Sequence, residues 1–148
     1  GLSDCLELAK RSDLPGRWIS VGYSGSDQRT GASWAETRWR ELKRAADEAI
    51  AASGVNYFVL RTGLIAAPAS TEARVSITQN SAAADAELPC NSLAFLLTGA
   101  ALSGAANRSH VTVRVEPHGL TLQSAVQAFR LLRQDSPVLG TTRRMHHA

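Results

Sequence analysis

Aromatic residues are scarce in this chain of 148 residues: three Phe, three Trp and two Tyr, about 5% of the total. Single-strand nucleic-acid binders rely on aromatic platforms for base stacking, so the scarcity argues against that class. Lysine is scarcer still, with Lys10 and Lys43 the only two among 16 basic residues. The basic charge is therefore mostly arginine, whose fork suits carboxylate and phosphate groups, and the net charge is only +3. Scattered, solvated arginines account for that excess, and no nucleic-acid partner is expected. Cysteine is limited to Cys5 and Cys90, far apart and without ligand-like spacing, a usage that fits a reducing compartment. His110 and His118 stand alone and His146–His147 belong to a terminal tail, so no metal site is expected. No apolar run reaches the roughly 18–20 residues of a membrane helix. The longest candidate, 93–106, is short and broken by glycines.

The length fits one domain with its own core. Ser3 can cap a short helix carrying Leu6, Leu8 and Ala9 that stops before Pro15–Gly16. Arg17–Val21 reads as a strand, followed by the glycine- and serine-rich run GYSGSDQRTG. A helix is expected over 35–52, with Trp39, Leu42, Ala46, Ala49, Ile50 and Ser53 on one buried face and Gly54 just beyond its end. Tyr57–Thr62 (YFVLRT) is the continuous apolar run of a strand covered on both faces. Within the loop-rich stretch 71–89, Val75–Ile77 can form a short strand. Asn91 is placed as the cap of a helix bearing Leu93, Leu96, Leu97, Ala100 and Ala101. Val111–Val115 is a strand, and Thr121 opens a last helix with Leu122, Ala125, Val126, Phe129 and Leu132. The domain spans 1–136, and 137–148 forms a basic C-terminal tail. Helices and strands alternate throughout, which argues for an α/β fold with a parallel sheet.

The most specific signal is WRELKRAADEAIAASGVNYFVLRTGLI, from Trp39 to Ile65. It resembles the atypical, NAD(P)-binding branch of the short-chain dehydrogenase/reductase family. That branch carries a helical tyrosine, a lysine four residues on, an alanine–acid pair, Ser-Gly-x-x-Tyr and a strand ending in Arg-Pro-Gly. Lys43 matches the lysine, Ala46–Asp47 the pair, Ser53, Gly54 and Tyr57 the Ser-Gly-x-x-Tyr, and Arg61, Thr62 and Gly63 the Arg-Pro-Gly. More weakly, the strand from Arg17 and the segments LPCNSLAFLLTGAAL and VTVRVEPHG resemble flanking parts of the same domain, with Ser92 where the family has a helix-opening aspartate. The resemblance implies a partial Rossmann-like parallel sheet flanked by helices, the C-terminal half of a doubly wound domain.

The departures are as informative. Trp39 stands at the tyrosine position, and an indole N–H cannot exchange a proton near neutral pH. The paired-serine position reads Gly22-Tyr23. Tyr23 could stand in for the missing phenol only by reaching across to it. No catalytic residue is therefore intact. Lys43, Arg61, Thr62 and Gly63 remain as cofactor-side candidates, with a helix pair between Lys43 and Asp47 as the alternative role for the lysine. No Gly-x-Gly-x-x-Gly loop is present to cradle a pyrophosphate, and Gly22–Gly25 is a poor substitute. This chain alone is expected to bind no cofactor, whereas NAD(P) is possible if the missing half is supplied. The strand from Arg17 to Val21 would otherwise be an apolar open edge, so another protein subunit is expected to cover it.

Three functions are compatible with this reading. One is a non-catalytic, reductase-derived accessory subunit of a larger complex, in a chloroplast or mitochondrion if the start at Gly1 reflects processing, otherwise cytoplasmic. The second is part of an NAD(P)-dependent oxidoreductase or cofactor-sensing protein whose glycine loop lies elsewhere. The third is a small Arg-rich module for acidic surfaces.

Overall fold

A computed structural model describes residues 1–11, 17–24, 33–80 and 87–136. The expected tail from 137 and most of the polar run after Ser24 lie outside them.

Two cores pack on opposite faces of one sheet, and the sequence explains their unequal size. The sheet strands are β1 (Trp18–Tyr23), β2 (Tyr57–Thr62), β4 (Val75–Thr78) and β6 (Ser109–Val115), in spatial order β1-β2-β6-β4. The first three strands in that order are parallel, and β4 closes the far side antiparallel to β6. Side chains alternate between faces along each strand, which divides β2. Phe58 and Leu60 join Val111 and Val113 of β6 under α3 (Cys90–Ser103) and α4 (Leu122–Ala128), with Phe129 from the following 3-10 turn. Tyr57 and Val59 face the other way, onto Leu6 of α1 (Leu2–Arg11) and Ile50 of α2 (Trp34–Ala52). A small parallel pair, β3 (Ile65–Ala66) with β5 (Leu88–Pro89), joins the loop after β2 to the start of α3.

Local signals fix most boundaries. α2 opens on Ser33, whose hydroxyl accepts from the Glu36 amide at 3.1 Å, and Glu36 puts an acid in the first turn, where the helix dipole favours it. It ends where Gly54 adopts φ +84°, as a C′ glycine should. Thr121 caps α4 by accepting from the Ser124 amide.

Several expectations need correcting. α1 begins at Leu2, so Ser3 lies inside it and caps nothing. β1 runs on through Gly22 and Tyr23, which the sequence places in a loop. α3 starts at Cys90 after Pro89, and Asn91 is no cap: its side chain instead holds the backbone of Ala69 through two hydrogen bonds. The largest correction concerns α2. Ile50 is buried as expected and Ala46 half-buried, but Trp39 and Leu42 are about half exposed and Ala49 is exposed, while Arg40, Lys43 and Asp47 turn inward instead. Ser53 caps the helix by donating to the Ile50 carbonyl rather than continuing an apolar face.

Among the described residues, β1 pairs only with β2, through six consecutive positions from Trp18↔Tyr57 to Tyr23↔Thr62. Its residues are only partly buried apart from Gly22, while β2 beside it is buried at five of six positions. No described helix is long and apolar enough to cross a membrane.

Candidate functional site

In an open parallel sheet the carboxyl ends of the strands are where ligands bind. Here those ends are Gly22 and Tyr23 of β1 with Ser24 just beyond, and Thr62 of β2 with Gly63 just beyond, tied together by the Ser24 amide donating to the Thr62 carbonyl at 3.1 Å. The neighbouring first half of α2 adds Trp39, Arg40 and Lys43. The candidates taken from sequence therefore meet in one region.

Tyr23 and Trp39 are in direct contact, their ring centroids 4.4 Å apart at 55°. The Arg40 guanidinium lies 5.9 Å from the Tyr23 ring and the Lys43 ammonium 5.6 Å from the Trp39 ring. Both are cation–π distances. Tyr23 thus brings a phenol against the residue that occupies the tyrosine position. Lys43 has no carboxylate within ion-pair distance among the described residues, so the expected helix pair with Asp47 is not the arrangement found.

Asp47 is instead bound by Arg61, Oδ2 to Nε at 3.2 Å, across the gap between α2 and β2. Burial pushes the Asp47 carboxyl above its ordinary value against the opposing pull of Arg61. This pair explains Gly22. A Cβ on that residue would stand 3.1 Å from Arg61 Cγ, 3.2 Å from Asp47 Oδ2 and 3.2 Å from Val59 Cγ1. The ion pair crowds the room a side chain at position 22 would need. It also takes up Arg61 as a free cation. Thr62 is buried, and its hydroxyl has no hydrogen-bond partner among the described residues.

A second polar cluster was not foreseen. His110 reads as isolated in the sequence, yet its Nδ1 contacts Asp135 Oδ2, and the Tyr57 hydroxyl donates to the same oxygen at 2.6 Å. Burial and the bond to Asp135 push the Tyr57 phenol up from its usual range. Burial alone would raise the Asp135 carboxyl, but the His110 and Tyr57 bonds outweigh it and hold the group below its ordinary value. Tyr57 begins β2 and His110 is the second residue of β6, so this cluster lies at the amino ends of the strands, away from the candidate site. It fastens the segment after α4, where the Asp135 amide also donates to the Arg108 carbonyl. No side-chain spacing could have revealed it, because 25 residues separate His110 from Asp135.

No protein-family model matches the sequence, and no curated protein matches it. Solved structures do. A putative NAD-dependent epimerase/dehydratase from Bacillus halodurans superposes with a TM-score of 0.74 at 15% identity, over 85% of this chain and 57% of that one. The oxidoreductase ylbE from Lactococcus lactis gives 0.72 at 11% identity, over 91% and 61%. A short-chain dehydrogenase/reductase from Veillonella parvula, solved in complex with NADP, gives 0.60 at 15% identity, over 82% and 60%. At such identities the likeness shows the fold alone: a Rossmann-like α/β sheet of mostly parallel strands flanked by helices. The chain spans about three-fifths of the length of these structures. Their sources are bacterial, so they lend no support to an organellar setting.

Proposed function

We propose that this chain is part of an NAD(P)-binding, oxidoreductase-type Rossmann domain that is complete only when residues outside the chain pair with β1. The observation that carries the reading is the edge of β1. It is a parallel strand hydrogen-bonded on one side among the described residues, in a fold whose solved counterparts are longer, this chain covering 57% and 61% of two of them. An unpaired apolar strand edge invites another strand. The missing pyrophosphate loop belongs on that absent portion.

The residues present suit only one end of a dinucleotide. Lys43 is half-buried and has no ion pair with a described carboxylate, which supports a role for its ammonium on the ribose hydroxyls. Nothing in the described residues would hold a pyrophosphate. NAD(P), when bound, would supply hydride chemistry, and this chain's own contribution would be to orient the ribose. Proton exchange is the weak point. Trp39 cannot perform it, and the crowding at Gly22 leaves no room for a substrate-orienting serine. A second reading follows from those two residues: the assembled domain is a non-catalytic subunit that keeps the reductase scaffold. The Arg-rich binding module is disfavoured, because Arg17, Arg40, Arg44, Arg61 and Arg74 are each engaged within the chain.

The test is to titrate the chain alone with NADPH, following tryptophan fluorescence, and to identify by crosslinking the segment beside Ile19–Tyr23 in the native particle. The proposal expects no saturable NADPH binding by the chain alone and a neighbouring strand followed by a glycine-rich loop. Tight binding by the isolated chain, or a neighbour without such a loop, overturns it. Steady turnover by the complete particle would reject the non-catalytic reading alone.

A further inference from the structure

α3 is an uncharged helix at the surface. Its 14 residues, CNSLAFLLTGAALS, include no acid and no base, and Phe95 is 47% and Leu102 83% exposed. A helix that is apolar on every side is ordinarily buried on every side. Among the described residues α3 is covered on two. Leu93, Leu96 and Ala100 join the core beneath it, and Gly99 meets α4 so closely that a Cβ there would stand 2.5 Å from Val126 Cγ2. A half-turn away from Gly99 lies a flank of half-buried Cys90 and Leu97 and exposed Ala94 and Ala101, spaced by four, three and four residues. That spacing is the seam of a helix pair, and the alanines permit close approach.

The neighbours fix where this flank points. α4 packs on β4, at one end of the sheet order. The opposite flank of α3 therefore points toward β1, whose Ile19 and Val21 pack against the same core. The uncharged flank and the open β1 edge lie on one side of the molecule.

α1 indicates which kind of strand belongs at that edge. It precedes β1 in the chain and packs on the face of α2, Leu6 clustering with Ile50. A step from a parallel strand beyond β1, through α1, into β1 has the same hand as the step β1–α2–β2. Both helices lie on one face, and both steps cross the sheet in one direction. Parallel crossovers keep one hand, so α1 sits where the crossover from such a strand belongs. Parallel strands are covered on both faces. α1 serves one face of the added strand. On the other face the neighbouring helix is α3, and a helix covering the added strand would run along the flank from Cys90 to Ala101.

We propose that this flank is the docking surface for an apolar helix of the segment that completes the sheet, the helix that covers the strand beside β1 on the face opposite α1. This docking rests on the β1 edge being unfinished, as proposed above, and adds a second contact with a stated occupant. The solved counterparts have the length for such a strand and helix, since this chain covers 57% and 61% of two of them.

A photo-crosslinking residue placed at Ala101 in the native particle, and another placed at Ser20 of β1, test this with mass spectrometry of the captured peptides. The expected result is that both sites capture one segment outside residues 1–148, Ser20 in a strand-forming run and Ala101 in an apolar-faced helix. Ala101→Glu should weaken assembly by roughly tenfold or more, as for a carboxylate pressed unpaired into an apolar contact. The urea midpoint of the chain alone should not change, because Ala101 is exposed there. Capture at Ser20 with none of that segment at Ala101 overturns the docking and leaves the unfinished edge standing, as does assembly untouched by Ala101→Glu. Crosslinking of Ala101 to a second copy of this chain overturns it in favour of self-association through α3. No segment captured at Ser20 sinks the unfinished edge, and the docking with it.

Discussion

Restoring a serine at position 22 should damage this protein, although serine is what the resembling family carries there. The new Cβ would lie 3.1 Å from Arg61 Cγ and 3.2 Å from both Asp47 Oδ2 and Val59 Cγ1. All three are closer than ordinary van der Waals contact, and two of the atoms belong to an ion pair that cannot retreat without lengthening its own 3.2 Å bond. Val59 is fully buried beneath Ile50, so it has nowhere to turn. Overpacking of this kind costs about 1–3 kcal/mol. For a chain of this size each kcal/mol lowers the melting temperature by about 2–4 °C. Urea unfolding followed by far-UV circular dichroism should show the loss as a lower midpoint with an unchanged slope. Gly22→Ala separates the causes: if sterics at Cβ decide, alanine costs nearly as much as serine. A Gly22→Ser protein within about 0.5 kcal/mol of the parent, the range of neutral surface changes, would mean that α2 does not seat against β1 as described.

Three further outcomes follow from the packing and the charges. Asp135→Asn removes the negative charge that Tyr57 and His110 share, leaving one amide oxygen to accept, and should cost about 1–2 kcal/mol at neutral pH, discounted because the carboxylate is 31% exposed. Because the folded protein holds Asp135 below its ordinary value, its contribution is complete above that value and is lost as pH falls through the folded one, so the asparagine variant should lose less stability on acidification. Asp47 works with the opposite sign: raised by burial, it favours the protonated form in the folded state and costs stability as pH climbs from the ordinary carboxyl value through the raised one. Asp47→Asn should flatten that decline in a pH series of urea midpoints, and an unchanged pH profile would show that Asp47 does not cause it. Phe129→Ala empties a fully buried position whose ring centroid sits 5.1 Å from that of Phe58, and should cost about 3–5 kcal/mol in the same assay.

What the sequence made legible depended on whether the signal was local. YFVLRT reads as a strand because it is apolar without alternation and too short for most helices, and five of its six residues are indeed buried. The Gly54 and Thr121 signals are equally local, since each satisfies backbone groups within one helical turn. Asn91 misled because an amide can serve any nearby backbone, and the loop at Ala69, distant in sequence, competed successfully with the helix end. β1 was read two residues short because Gly22 looks like a loop residue, whereas its lack of a side chain is what lets the strand pass under the Asp47–Arg61 pair. The Tyr57–His110–Asp135 cluster depends on β2 and β6 lying side by side, which no spacing within either strand records.

The misassigned face of α2 carries the most weight. Helical periodicity identifies a stripe of Trp39, Leu42, Ala46, Ala49, Ile50 and Ser53; Ile50 is buried as expected and Ala46 is half-buried, yet Trp39, Leu42 and Ala49 are exposed while Arg40, Lys43 and Asp47 turn inward. A helix that turns charges inward and leaves two large apolar side chains half exposed would be poorly designed if this chain were the whole protein. Arg61 offsets part of the cost of burying Asp47, and the aromatic rings meet Arg40 and Lys43. The outward stripe is answered less well: Tyr23 and Lys43 meet one side of Trp39, and the indole is still 42% exposed, Leu42 52%. Among the described residues, both the helix and the β1 edge are thus apolar where they are left open, and they belong to the same βαβ unit. If the complete domain buries both, amide exchange along β1 and the exposure of Trp39 should fall together on assembly. A native particle in which Trp39 is shielded while the β1 amides still exchange freely would separate the two, and would refute a single completing segment at the β1 edge.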